Sequence, residues 1–308
     1  MGRLEKAEGH KRKVRMRLLK FSALIFIILF FAAGCYLLPI DENTEFFALI
    51  IGINDYNDGD VKDLKWCVDD ATDLRNSLID NGWKDSEIVL LTDGGATKSA
   101  ILGTLTSFVA QAGKNDYLFL YYSGHGTVVG DASGDEPDGS DEAIVPVDYI
   151  DGNNTTLILD DELGEIFSGS STQKGVFIFD ACNSGGFINK ALNTGGLNAR
   201  YTETANIKGQ ATNGDLDITQ FPVLAASGQY EFAYENSDLQ HGIFTYFILK
   251  GLSGLNADAD NDDYITIREL FDYAENHTKS YVEYYYGSVY QHPQLRYPRE
   301  FVDILVTR

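Results

Sequence analysis

From Phe46 onward, short uncharged apolar runs alternate with stretches whose apolar residues recur at helical spacing. That alternation is the pattern of a mostly parallel sheet covered by helices on both faces, an α/β fold. The runs are Phe46 to Ile53, Glu87 to Leu91, Asp116 to Tyr122, Gly175 to Phe179 and Phe221 to Ala226, with a further edge strand expected at Phe301 to Val306, about six in all. Between them, Ala71, Leu74, Leu78 and Ile79 mark one helix, and Ile101, Leu105, Phe108 and Val109 another. Asp160 to Phe167 and Gly242 to Leu252 read as two more. Ala143 to Val147 reads as a short extended piece, and the polar stretch 189–220 as a surface loop.

The stretch GVFIFDACNSGG, Gly175 to Gly186, has a consequence beyond its strand. Val176 to Phe179 are too few for a helix and suit a strand buried on both faces. Such a strand delivers Asp180 and Cys182 to the carboxyl edge of the sheet, where α/β folds place their chemistry. The Asp116 run ends likewise, in Ser123-Gly124-His125-Gly126. If the two strands are neighbours, an imidazole faces a thiol. That pair can generate a thiolate, attack a carbonyl carbon and return a proton to the leaving amine. Glycines beside His125 leave room for a substrate backbone and free amide N–H groups for a developing oxyanion.

Charge separates the chain into unlike parts. Met1 to Lys20 carries eight Lys or Arg and two Glu, a charge of +6 against −22 for the whole chain, which leaves −28 for the remainder. An acidic body disfavours nucleic acid and attracts cations. After the basic residues 1–20 comes the uncharged run 21–40, long enough to span a bilayer, with a flank that predicts a cytoplasmic N-terminus and an exported body at 41–308. Three readings of this run stand: a single-pass signal anchor, a lipoprotein signal ending at Cys35 in Ala32-Ala33-Gly34-Cys35, or a buried helix of a soluble protein, for which twenty unbroken apolar residues would be unusual. Three cysteines in 308 residues do not make a disulfide framework, so Cys67 and Cys182 read as free thiols. No organic cofactor is expected, and nothing in the sequence sets an oligomeric state.

FLYYSGHG and VFIFDACNSGG resemble the two active-site blocks of the caspase-like cysteine peptidases, most of all the metacaspases and their prokaryotic relatives. FALIIGINDY, LKWCVDDATDL, DEAIVPVDY, FPVLAASGQYEFAYE and HGIFTYFILKGL extend the resemblance, in order, over about 260 residues. It implies a caspase-like fold, His125 as general base and acid, Cys182 as nucleophile, and backbone N–H groups of Gly126 and Cys182 as oxyanion donors. It also implies a pocket of Cys67, Asp70, Ser123 and Asp180 for the residue before the cleaved bond. Two carboxylates there suit Arg or Lys, because a guanidinium accepts bidentate pairing. Protein or peptide substrates cleaved after Arg or Lys are therefore expected, with Lys190, Arg200 and Lys208 as points of self-cleavage. The alternatives are a caspase-fold binding or sensor module that has lost catalysis, and a peptidase of non-basic preference.

Two acidic clusters are candidates for calcium. Asp141, Asp160 and Asp161 resemble the metacaspase calcium site, although Asn189 stands where the pattern supplies another acid. Residues 258–269 read as an EF-hand-like loop, with Asp258, Asp260, Asp262 and Glu269 at positions one, three, five and twelve and the Tyr264 carbonyl at seven. Its sixth position, normally Gly, is Asp263, which can take the left-handed conformation at some cost.

Overall fold

A computed structural model describes residues 43–130, 140–181, 221–228, 231–287 and 291–296. Six strands form one sheet: β1 (Phe46–Gly52), β2 (Ile88–Thr92), β3 (Tyr117–Ser123), β7 (Lys174–Asp180), β8 (Val223–Ala225) and β11 (Gln294–Arg296). Their spatial order is β11-β8-β7-β3-β1-β2. Every neighbouring pair is parallel except β11 against β8. The antiparallel edge strand thus falls at 294–296, and the edge strand expected at 301–306 lies outside the described residues. So do the run 21–40, the loop 189–220 and Cys182. Among the described residues no helix is long and apolar enough to cross a membrane.

Alternation along β1 splits the core. Leu49 and Ile51 join Leu120, Tyr122, Phe177 and Phe179 on one face, packed against α2 (Lys98–Gln111) and α3 (Asp160–Ser168). Ala48 and Ile50 join Phe119, Tyr121, Val176 and Ile178 on the other, against α1 (Cys67–Asp80), α4 (Ile243–Leu252) and α5 (Ile267–Tyr286). Both faces of the central strands are therefore apolar, as helices on each side of a parallel sheet require. Each fully buried Leu, Ile or Phe contributes about 1.5–3 kcal/mol.

A smaller antiparallel sheet of β4 (Gly126–Gly130), β5 (Ser140–Ile144) and β6 (Ile158–Leu159) stands at the carboxyl edge. It begins at Gly126, the residue after His125. A two-stranded ribbon, β9 (Glu235–Asn236) with β10 (His241–Gly242), precedes α4. Both small sheets have strands too short, and too polar in part, to leave a periodic signal.

The close seat of α1 on β1 depends on Gly52. A Cβ there would lie 2.2 Å from the Cys67 carbonyl oxygen and 2.7 Å from the Ala71 Cβ, so backbone itself would have to move. Gly52→Ala is expected to lower stability by about 1–3 kcal/mol, the usual cost of overpacking. For a chain of this size that is roughly 2–4 °C in Tm for each kcal/mol. An unchanged melting curve would contradict this packing.

Candidate active site

Parallel pairing of β3 with β7 sets Ser123 opposite Asp180, and the Gly124 N–H donates to the Asp180 carbonyl at 3.4 Å. The chains leaving the two strands therefore emerge side by side. His125 lies two residues beyond Ser123; Ala181, buried one residue beyond Asp180, immediately precedes Cys182 in sequence.

His125 is fixed from several directions. Its backbone N–H donates to the Tyr56 hydroxyl oxygen at 2.8 Å. Its carbonyl accepts from the Tyr122 hydroxyl at 2.7 Å and from Val145 N–H at 3.0 Å. The ring packs on Tyr56 with centroids 5.0 Å apart, and Nε2 lies 2.6 Å from the Lys62 carbonyl oxygen. A carbonyl can only accept, so Nε2 carries a proton. In the neutral imidazole, Nδ1 is then the basic nitrogen.

On the α1/α4 face the structure brings Cys67, Asp70, Ser123 and Asp180 together. Alternation sends Ser123 and Asp180 to this face, and the first turn of α1 supplies Cys67 and Asp70. That turn is anchored by remote side chains. The Asn54 Oδ1 accepts from Cys67 and Val68 N–H at 2.9 and 3.3 Å, while the Glu235 Oε1 accepts from Trp66 N–H at 2.7 Å. These oxygens satisfy donors that a helix start leaves open. Glu235 also accepts from the Cys67 thiol at 3.7 Å. Burial, and then the Asp70 and Glu235 carboxylates, push the Cys67 thiol well above its ordinary range, so this cysteine is held protonated.

Asp70 is fully buried and densely bonded. Its Oδ2 accepts from Ser123 Oγ at 3.0 Å, its Oδ1 lies 2.8 Å from His241 Nδ1, and Gly242 N–H donates to both oxygens. The Asp180 Oδ2 accepts from Thr245 N–H at 3.0 Å and Thr245 Oγ1 at 2.6 Å; Tyr121 donates to that Oγ1, also at 2.6 Å. Gly242 lies between the acids: a Cβ there would be 2.5 Å from Asp180 Oδ2 and 3.1 Å from Asp70 Oδ2. Burial pushes Asp70 up to about 7, opposed chiefly by the His241 hydrogen bond, and Asp180 up to about 6, opposed chiefly by Thr245. Two buried acids this close favour an added cation. Glu235, His241 and Thr245 are absent from the sequence-derived site. All three lie in the segments FPVLAASGQYEFAYE and HGIFTYFILKGL that carry the family resemblance, which was the available signal.

Asp141 on β5 and Asp160 and Asp161 in the first turn of α3 converge through the pairing of Ala143 with Leu159, their oxygens within 4.8 Å of one another. An all-carboxylate set suits a hard ion such as Ca²⁺. In the loop at 258–269, Asp258, Asp260 and Asp262 also cluster within 4.8 Å. Asp258 accepts from Asn261, Asp262 and Asp263 N–H, and Asp263 adopts φ 69°, the left-handed turn that Gly normally makes at the sixth position. Glu269 does not join that cluster. Its Oε2 accepts from Thr266 N–H and Oγ1 in the capping box of α5, and its Oε1 accepts from Ala259 N–H. Tyr264 leaves its side chain exposed above the buried Ile265.

Residues 47–191 match the family described as metacaspase, peptidase C14 domain. Metacaspase-1A of Neurospora crassa is 40% identical over 148 residues, 45% of this chain and 31% of that protein. Metacaspase-1 of Saccharomyces cerevisiae is 38% identical over 148 residues, 45% of this chain and 33% of that protein. The matched region thus spans about a third of these relatives. Among solved structures, protein GSU0716 from Geobacter sulfurreducens aligns with a TM-score of 0.55 at 19% identity, covering 82% of this chain and 92% of that one, a likeness of fold. The alternating strands, the imidazole and acids at one sheet edge, and these matches agree: the chain has a caspase-like α/β fold, and its residues 47–191 are similar to the metacaspase peptidase domain.

Proposed function

We propose that this chain is a cysteine endopeptidase that cleaves peptide bonds after Arg or Lys. The observation that carries the catalytic half is the Nε2 contact of His125 with the Lys62 carbonyl, which leaves Nδ1 as the base. Cys67 is buried, carboxylate-facing and protonated, which makes Cys182 the thiol suited to be the nucleophile. In the proposed reaction His125 Nδ1 takes the Cys182 thiol proton, and the thiolate attacks the substrate carbonyl carbon. The oxyanion accepts hydrogen bonds from the backbone N–H groups of Gly126 and Cys182. Collapse breaks the C–N bond as His125 protonates the leaving amine, giving an acyl-enzyme. Water, deprotonated by the same imidazole, then releases the acid.

Preference for a basic residue is supported by Asp70 and Asp180, two buried carboxylates on either side of Gly242 whose charge an incoming cation would neutralise. An acidic side chain there would add a third charge of like sign. Calcium is the proposed metal, with Asp141, Asp160 and Asp161 to hold it and Asp258, Asp260 and Asp262 as a second cluster. Its part would be to neutralise these carboxylates and brace the edge sheet beside His125.

Cys182→Ala and His125→Ala are each expected to cut turnover of an arginine reporter peptide by about 10⁴-fold or more, with unchanged melting curves. Intact chain should accumulate if cleavage at Lys190, Arg200 or Lys208 is self-inflicted. Undiminished turnover by the cysteine variant sinks the assignment. Asp70→Asn and Asp180→Asn should each cost 2 kcal/mol or more in kcat/KM for that peptide, about thirtyfold. Preferential cleavage after Asp in a peptide library would overturn the basic preference. With calcium, Tm and activity should rise in the wild-type chain, and in Asp258→Asn but not Asp141→Asn if the edge-sheet cluster is the activating site. No response to millimolar calcium by either readout rules out the metal.

A further inference from the structure

His241 takes no part in the bond chemistry above, yet it makes the shortest contact to the buried Asp70 carboxylate. It stands on β10, immediately before Gly242, so its ring closes the outer side of the acid pair. Nδ1 lies 2.8 Å from Asp70 Oδ1 and Nε2 lies 3.6 Å from Asp73 Oδ2, one helical turn further along α1. A neutral imidazole has one N–H, but both of its nitrogens face carboxylates here. The doubly protonated ring is the form that donates to each.

We propose that His241 is a positioning residue of the basic-residue pocket, its imidazolium clamped between Asp70 and Asp73 so that Asp70 stays ionised and oriented for an incoming Arg or Lys at neutral pH. The inference rests on the reading of Asp70 and Asp180 as that pocket.

The surroundings decide the sign. Asp69, Asp70 and Asp73 face the ring from α1, Asp180 bears on it from β7, and Glu235 lies across the ribbon on β9. From α4 come the Tyr246 ring, centroid 6.1 Å away, and Lys250, whose ammonium sits 5.2 Å over that same tyrosine ring. One cation among five acids leaves a field that favours protonation. Burial works against the charged ring, but the Asp70 hydrogen bond and the acids outweigh it, and His241 titrates above its ordinary value. In return its hydrogen bond is the strongest influence holding Asp70 down against burial.

Removing the ring should therefore let Asp70 keep its proton to higher pH. In the full chain, Michaelis constants for an arginine reporter peptide are measured from pH 6 to 9.5 for wild type, His241→Gln and Asp73→Asn. His241→Gln is expected to displace the KM curve upward in pH by about one unit, raising KM about fivefold at pH 7. Near pH 9.5 wild-type KM should return, while kcat moves little throughout. Asp73→Asn, a change at a half-exposed side chain, should displace the curve the same way by less. A His241→Gln curve that superimposes on wild type, or is raised equally at every pH, overturns the proposal; the second result marks a merely structural residue. Should His241→Gln not fold, Asp73→Asn and the NMR titration of the wild-type His241 ring decide, and a ring pKa at or below 6.5 overturns it. Failure of the wild-type chain to turn over Arg or Lys peptides removes the pocket reading first, in the wild-type arm alone, and the inference with it.

Discussion

The in-register pairing of β3 and β7 is the constraint from which both halves of the site follow. Parallel strands end on one edge, so opposing Ser123 and Asp180 brings the chain before His125 beside the chain before Cys182. Alternation then distributes the remaining work. Ser123 and Asp180 turn toward α1 and α4 and meet Asp70 and Thr245, while Tyr122 and Phe179 turn toward the other core. A slip of one residue would exchange these faces and place both polar groups among the apolar side chains of the opposite layer. The imidazole and the acid pair are therefore two consequences of one register.

Much of that was legible in the chain. The apolar runs at Phe46, Asp116 and Gly175 correspond to β1, β3 and β7 within one residue at most ends, because strands buried on both faces admit few other residue types. The helix at Lys98 to Gln111 carries its buried Ile101, Leu105 and Val109 at the expected spacing. Cys67, Asp70, Ser123 and Asp180 were found as a set through family resemblance, and no local periodicity would have joined residues so far apart in sequence.

What escaped the sequence is the second layer of polar contacts. Glu235, His241 and Thr245 act on α1 and the acid pair from a two-residue ribbon and the start of α4, elements whose positions only the assembled fold defines. Glu269 shows the reverse case. Spacing assigned it to the twelfth position of an ion loop, but a Thr three residues earlier offers a capping box, and the local hydrogen bonds to Thr266 and Ala259 hold the carboxylate there. Spacing identifies which residues can meet, whereas competition among nearby donors decides which do.

The buried acids explain why so much polar structure surrounds so small a volume. Two carboxylates out of water disfavour each other's ionisation, and each is met by a dedicated set of donors: Ser123, Gly242 and His241 for Asp70, Thr245 backed by Tyr121 for Asp180. Hydrogen bonds of this kind orient a carboxylate but do not supply a full positive charge. Among the described side chains in direct contact with the pair, only the imidazole of His241 can carry one, from the outer side of Asp70. Burying this pair of acids side by side costs stability, and that cost is intelligible if a further positive charge arrives with the substrate.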